Sequence, residues 1–186
     1  SVLSVYPLGI EDDPRIVKDD RLVGTWYYSY RTPRPAEKHE HNVERTLLFD
    51  VQESTGKKYT LTCYESPKDG DSPWFTCSFT ILKGSNGHYI DIQGRDGFKV
   101  DRPASSISPL SISGHFIARV EISDKSISLF PLDKVAVQRA VEGGDVDFEY
   151  TRDDRGNVVL TTSSKRLQAV LFDTDKLLST TETKLS

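Results

Sequence analysis

Histidine and glutamate side chains within residues 37–44 are the first candidates for metal chemistry. The tripeptide His39-Glu40-His41 places two imidazoles on one face of the chain if it is extended, with Glu37 and Glu44 nearby. Zinc sites normally use three or four protein ligands of defined geometry, and the whole chain has only 4 histidines. The sequence therefore favours a solvated loop here, and no metal is predicted.

His115 is the second candidate for chemistry, because it precedes an apolar run that contains Phe116, Ile117 and Val120. A histidine in this position is either a strand residue hydrogen-bonded to a neighbour or part of a functional site. The chain has no Gly-x-Ser-x-Gly motif, phosphate-binding loop, dinucleotide-binding glycine motif or His-Glu-x-x-His helix. A hydrolase built around His115 is therefore the weakest alternative, and neither an enzyme nor a cofactor is predicted.

Aromatic side chains form the third candidate site. Tyr28 and Tyr30 share a strand face with Trp26, and neighbouring strands add further rings. The predicted ligand-binding residues are Tyr28, Tyr30, Phe49, Tyr59, Tyr64, Trp74, Phe79 and His115. An apolar pocket with a few hydroxyl groups would suit a small hydrophobic molecule, whereas the alternative is that these rings fill the interior and leave no cavity.

The two cysteines lie in a predicted β-hairpin. Cys63 and Cys77 are equally distant from Gly70, so both thiols are expected to face each other on one side of the hairpin. In an oxidising compartment they could form a cross-strand disulfide. The alternative is a pair of buried, reduced cysteines that act as small hydrophobic residues.

Short alternating runs of apolar and polar residues predict eight strands. These strands are expected at about 22–30, 44–53, 57–66, 73–83, 87–93, 112–122, 125–131 and 157–162. Turn sequences such as Ser54-Thr55-Gly56 separate several of them, so consecutive strands should pair antiparallel. Eight such strands lose their unpaired edges by closing on themselves. The predicted fold is all-β, an eight-stranded antiparallel up-and-down barrel.

Two short helices are predicted beside the barrel, at residues 132–142 and 164–172. Residues 1–20 are expected to be an extended lead-in or tether, 21–172 the barrel domain and 173–186 a flexible tail. The long connections at residues 31–42 and 94–111 are expected either to bind a ligand or to cover one barrel end.

Charge and composition narrow the choice of partners. The formal net charge is -4 and no cluster of Lys and Arg resembles a phosphate-binding track, so nucleic acid is not an expected partner. The apolar runs are far shorter than the roughly 20 residues of a membrane-spanning helix. The chain contains no methionine, and an upstream segment such as a signal peptide is expected to have been removed.

Motifs in a defined order resemble the lipocalin and calycin superfamily. They are Gly24-Thr25-Trp26 on the first strand, a run of antiparallel strands, a late helix and a basic residue after the last strand. Gly24 would let another backbone pack close to this strand. The resemblance implies that Arg166, or failing that Lys165, packs across Trp26 and holds one end of the barrel shut.

A narrower resemblance rests on the motifs at residues 74–83, 87–92, 113–120 and 160–168 and covers most of residues 20–172, which are similar to bacterial envelope lipoproteins with a lipocalin-like domain and no settled activity. It implies a periplasm-facing or secreted protein, attached to the membrane only through an acylated cysteine immediately before Ser1. The expected function is to bind or carry a small hydrophobic molecule in the barrel interior. The alternative is a scaffold lipoprotein with a filled barrel whose loops contact another envelope protein.

Overall fold

The computed structural model describes residues 2–32, 43–65, 73–93, 114–153, 156 and 158–186. Its strands are β1 (Val2–Ser4), β2 (Ile16–Val17), β3 (Gly24–Thr32), β4 (Val43–Glu53), β5 (Tyr59–Glu65), β6 (Phe75–Gly84), β7 (Gly87–Gln93), β8 (His115–Ile122), β9 (Ile127–Pro131), β10 (Tyr150–Arg152), β11 (Val158–Leu160) and β12 (Thr183–Leu185). Its helices are a 3-10 turn (Asp20–Leu22), α1 (Lys134–Glu142) and α2 (Ser164–Leu171).

The strands from β3 to β9 form an antiparallel meander in which each strand pairs with the next. Alternating apolar residues and tight turns favour this order, because a one-residue slip would turn the buried face toward solvent. The predominantly β fold and the two short helices predicted from the sequence are confirmed. The strand number differs, since the described residues form one sheet of 12 strands.

The sheet branches at β8. The first residue of β8 pairs with β1 through Ser4 and His115, whereas its second half, Ala118–Ile122, pairs with β9. The branch through β1 continues to β11 and β10. The predicted eighth strand at 157–162 therefore corresponds to β11, which lies parallel to β1 and not next to β9. Val158 and Leu160 pack in a separate core, which explains their position.

The place beside β9 is taken by β12, where Thr183–Leu185 pairs antiparallel with 127–129. The other side of this C-terminal segment contacts β3, because Tyr27 and Ser186 exchange two backbone hydrogen bonds of 2.9 and 3.0 Å. The sequence predicts a flexible tail over 173–186, but this segment contains a strand and buried leucines at 177, 178 and 185. These leucines do not recur with the period of a helix or a strand, so the sequence does not predict their burial, which depends on contacts with distant strands.

The first core lies between the inward faces of the meander. In β6 every second side chain points into this core, and Phe75, Cys77, Phe79 and Ile81 are buried there. The 3-10 turn adds Leu22, which is 1% exposed, at the end of the sheet where β3 begins. Hydrophobic burial on this face is the main force that holds the strands together.

The second core lies on the outer face of β6, β7 and β8, which is the face directed away from the first core. Leu82, Tyr89 and Ile117 from these strands pack against side chains of α1, α2, β1 and β11. Asp133 caps α1 by accepting a 2.7 Å hydrogen bond from the amide of Ala136. Among the described residues, no helix is long and apolar enough to span a lipid bilayer.

The N-terminal segment belongs to this second layer, although the sequence predicts a tether over residues 1–20. Leu8 is fully buried, and β1 and β2 both pair within the sheet. The Gln168 amide donates to the Leu8 carbonyl over 2.6 Å and to the Asp13 carboxylate over 2.7 Å. These bonds from α2 fix a segment that has no periodic pattern of its own.

Candidate functional site

The eight predicted ligand-binding residues are divided between the two faces of the sheet. Phe49, Tyr59 and Phe79 are buried in the first core, and Tyr28, Tyr30 and Trp74 are partly buried against it. Tyr64 pairs with Leu48 and His115 pairs with Gln93, which places both on the outer face. The structure therefore brings six of the eight together and separates Tyr64 and His115 from them.

The middle of the first core is filled by side chains. The Tyr59 and Phe79 rings stack with their centroids 5.0 Å apart, and Cys63 and Ile81 are fully buried in the same core. The Tyr59 hydroxyl accepts a 2.7 Å hydrogen bond from the Asp19 amide, and burial raises the pKa of Tyr59. Because these groups already contact one another, this part of the interior offers little space for a ligand.

Aromatic rings also gather at the end of the sheet where the chain leaves β3, β5 and β7, which we call the loop end. Tyr28 and Tyr30 stack at 6.0 Å with an interplanar angle of 14°, and the ring of Trp74 lies 5.8 Å from that of Phe75. Phe116 is a further partly buried ring on this face. The aromatic surface at the loop end is therefore only partly buried.

One ion pair lies beside these rings. Arg45 pairs in register with Tyr30 in β3, and its guanidinium donates a 2.6 Å hydrogen bond to the carboxylate of Glu65. The arginine side chain is 49% exposed, so the pair is solvated and adds little stability. It supplies a polar rim to the aromatic cluster.

The opposite end of the first core contains Trp26, whose burial agrees with the sequence expectation. Its indole is 7% exposed and donates a 3.0 Å hydrogen bond to the Leu22 carbonyl in the 3-10 turn. Arg21 in the same turn donates a 3.0 Å hydrogen bond to the Ile122 carbonyl at the end of β8. The Arg21 guanidinium also donates to Asp19 and lowers the pKa of that carboxyl.

Arg166, which the resemblance places across Trp26, lies elsewhere. It belongs to α2, whose buried residues pack in the second core, and it forms a 2.5 Å ion pair with Asp147. Gly24 has a φ of +142°, a conformation that favours glycine, and open space surrounds the position of a Cβ there. Its role is therefore conformational, not the close backbone approach that the sequence suggests.

Cys63 and Cys77 are thiols and not a disulfide in this structure. The strand register places Cys63 opposite Phe75 and Cys77 opposite Leu61, so the two cysteines are diagonal neighbours and do not face each other as expected. Burial raises the pKa of Cys63 to about 12, with a smaller contribution from Cys77. Both side chains act as apolar residues of the first core.

A cavity of about 370 Å³ lies on the outer face, between residues 7–11 and strands β6, β7 and β8. We call it the outer cavity. Its wall contains His115, whose Nδ1 lies 2.7 Å from Oδ1 of Asp91. The other carboxylate oxygen of Asp91 accepts a 2.6 Å hydrogen bond from the Leu8 amide. The carboxylate therefore fixes both the imidazole and the N-terminal segment.

Asp91 is a residue of this site that sequence reasoning missed. Its only signal in the sequence is a carboxylate within the apolar run from Tyr89 to Ile92. The side chain is 3% exposed, which a carboxylate tolerates only when it is well hydrogen-bonded. Its two partners come from β8 and from the N-terminal segment, and neither contact is visible in the sequence.

A second cavity, of about 300 Å³, lies at the turn end of β7 and β8. Arg119 dominates it, with hydrogen bonds of 2.7 Å to Asp175 and 3.1 Å to Glu121. The guanidinium also lies 4.9 Å from the centroid of the Phe130 ring. These contacts join the C-terminal segment to the sheet, and among the described residues the buried Nε of Arg119 has no hydrogen-bond partner.

The predicted loops and the histidine pair cannot be placed in this geometry. Glu37, His39, Glu40, His41 and residues 94–111 lie outside the described part of the chain. Within the part that is described, no group of three or more His, Cys, Asp or Glu side chains is arranged to hold a metal ion.

Comparisons of the whole chain with known protein families, with characterised proteins and with solved structures found no match.

Proposed function

We propose that this protein is a non-enzymatic binding protein of the bacterial cell envelope, with a closed β-barrel that binds a small hydrophobic molecule at its loop end. The observation that carries the proposal is the group of half-buried rings from Tyr28, Tyr30, Trp74 and Phe116, which lies above a filled core. The envelope location is inferred from the sequence resemblance alone.

Closure of the barrel is inferred from the C-terminal strand. Strand β12 pairs with β9, and Ser186 is hydrogen-bonded in both directions to Tyr27 in β3. These contacts support an order in which β3 to β9 and β12 form a ring of eight strands. Such a ring leaves no unpaired edge within it, which favours a soluble β-structure over association through exposed strands.

The packing of the core determines where a ligand would bind. The stacked Tyr59 and Phe79 rings and the buried thiols fill the middle of the barrel, so the proposed site is shallow and lies near the loops. Aromatic rings with a few hydroxyl groups and a polar rim from Arg45 and Glu65 suit a molecule with an apolar body and one polar end.

Intrinsic fluorescence tests this proposal, because the chain has only two tryptophans and only Trp74 lies near the loop end. Titration with laurate should change the emission of the wild-type protein and of a Trp26→Phe variant, but not that of a Trp74→Phe variant. Tyr30→Ala should weaken binding roughly tenfold because it removes a partly buried ring. Tyr27→Ala is the matched control, since that ring is 46% exposed on the other face of β3.

The scaffold function is the second candidate, and the filled core favours it. Native mass spectrometry of protein purified from its own host separates the two candidates. A co-purified small molecule supports the binding protein. The absence of any such molecule, together with unchanged fluorescence in the laurate titration, would exclude it and favour contacts through the loops.

Envelope attachment requires a separate test. Metabolic labelling of the full-length precursor with a fatty acid should give a labelled protein. An unlabelled product would exclude the lipid anchor without affecting the proposed ligand site.

A further inference from the structure

The outer cavity has a rigid wall on the side of the N-terminal segment. Gly9 permits this segment to approach β6, because a Cβ at that position would lie 2.5 Å from Cδ2 of the buried Leu82. Next to it, Leu8 is held through its amide by Asp91 and through its carbonyl by Gln168. The cavity is therefore formed before any ligand arrives, which lowers the entropic cost of binding.

The opposite wall is a row of neutral polar side chains on the outer face of three strands. Ser78 pairs with Gln93, and Gln93 pairs in turn with His115, so these three residues lie side by side across β6, β7 and β8. Thr80 lies next to Ser78 on the same face of β6. Hydroxyl, amide and imidazole groups thus line one side of the cavity.

His115 is oriented for hydrogen bonding by its partner. Because the Asp91 carboxylate accepts a hydrogen bond from Nδ1, Nε2 is the ring nitrogen that is left for a ligand. Within the described part of the chain, Nε2 has no hydrogen-bond partner. The side chain is 13% exposed and lines the cavity, so this nitrogen is available to form a hydrogen bond with a hydroxyl group of a ligand.

The charged groups that line the cavity already have hydrogen-bond or ion-pair partners. Asp91 is paired with His115 and with the Leu8 amide, and Glu11 lies 3.6 Å from Lys58 at the rim. A charged ligand would have to lose its hydration without gaining an opposite charge, which is costly. The site therefore fits an uncharged molecule.

We propose that the outer cavity binds a neutral sugar. A sugar ring has an apolar C–H face and a rim of hydroxyl groups, and the cavity offers both complements. Pro7, Ile10 and Ile16 form an apolar wall, and the polar row faces it. A volume of about 370 Å³ is at the lower end of small-molecule pockets and suits a mono- or disaccharide. This site lies on the opposite face of the sheet from the aromatic rings of the loop end and does not depend on the function proposed above.

NMR titration of the full chain tests this site directly. Glucose, N-acetylglucosamine and maltose are the neutral probes, and gluconate and glucosamine are charged probes of similar size. At least one neutral sugar should give saturable shifts of the His115 ring protons and of the Thr80 and Gln93 amides. The indole N–H of Trp74 should not shift, which separates this result from binding at the loop end.

Substitutions in the polar row provide the second measurement. Thr80→Val and Ser78→Ala should each weaken sugar binding roughly two- to twelvefold, the effect of one lost hydrogen bond. Thr76→Val is the matched control, because Thr76 lies on the same face of β6 outside the cavity, and its affinity should be unchanged.

The proposal would be overturned by the absence of saturable shifts with all three neutral sugars. Equal or tighter binding of gluconate or glucosamine would overturn the argument from charge. Equal weakening by Thr76→Val would show that the sugar binds elsewhere on the sheet.

Discussion

Replacement of Leu185 by alanine tests whether the C-terminal strand is an integral part of the fold. Leu185 is 6% exposed and belongs to the first core. The substitution removes three carbon atoms at about 0.8 kcal/mol each, and the cavity left behind adds a further cost. We therefore expect the free energy of unfolding to fall by about 3 kcal/mol, within the usual range for a buried leucine.

Thermal unfolding followed by circular dichroism measures this effect. For a chain of this length, a loss of about 3 kcal/mol lowers Tm by roughly 6–12 °C. Lys184→Ala is the control, because that side chain is exposed on the same strand and its loss should change stability by less than about 0.5 kcal/mol. A change in Tm of less than about 2 °C for Leu185→Ala would refute the packing of β12 against the first core.

Three further predictions follow from buried groups. Because the pKa of Cys63 is about 12, only about one in ten thousand of these side chains is a thiolate at pH 8. A thiol reagent should therefore react only after unfolding. Rapid reaction of the native protein would contradict this burial. Gly84→Ala should cost about 1–3 kcal/mol by urea unfolding, because a Cβ there would lie 2.8 Å from the Phe172 ring, whereas the exposed Lys83→Ala should have no effect. Burial raises the pKa of Asp13, but hydrogen bonds from Arg15 and Gln168 outweigh it, and the net pKa is lowered. Its stabilising contribution is thus complete above the unfolded pKa of about 3.9 and is lost as the pH falls through the lower folded value. Asp13→Asn should flatten the loss of stability below about pH 4 in urea unfolding, and an unchanged profile would contradict this assignment.

The meander is predictable because its strands are long enough to show alternation. In β6, four apolar residues at every second position identify both the strand and its buried face. The helices are predictable for a similar reason, since α1 and α2 each have an apolar stripe. The burial of Trp26 follows from its position in the first aromatic strand.

Of the short strands, β1, β2, β10 and β12 are not predictable, whereas β11 lies within a predicted strand. A strand of three residues such as β12 contains one buried apolar side chain, and a single residue has no period. The pairing of β1 with β11 joins residues more than 150 positions apart, and no local pattern specifies it. The expected position of Arg166 is wrong because it rests on a resemblance alone, whereas the apolar stripe of α2 directs that helix to the second core.

The lining of the outer cavity could not be predicted from the sequence for the same reason. The sequence singles out His115, but the neighbours it predicts for this residue are the aromatic rings. The strand register instead places it on the opposite face, next to Asp91. Which face a residue occupies depends on the register of several strands together, and one ambiguous strand end is enough to reverse the assignment.

The hydrogen bonds between Tyr27 and Ser186 join two segments of the chain that are synthesised at very different times. Strand β3 is made early, whereas its neighbour on that side is made only when residue 186 appears. Until then, one long edge of the nascent sheet has no cover and is open to pairing with other chains. The large sequence separation between β3 and β12 therefore makes their pairing slow relative to local hairpin formation, and factors that shield the nascent chain should raise the yield of native protein.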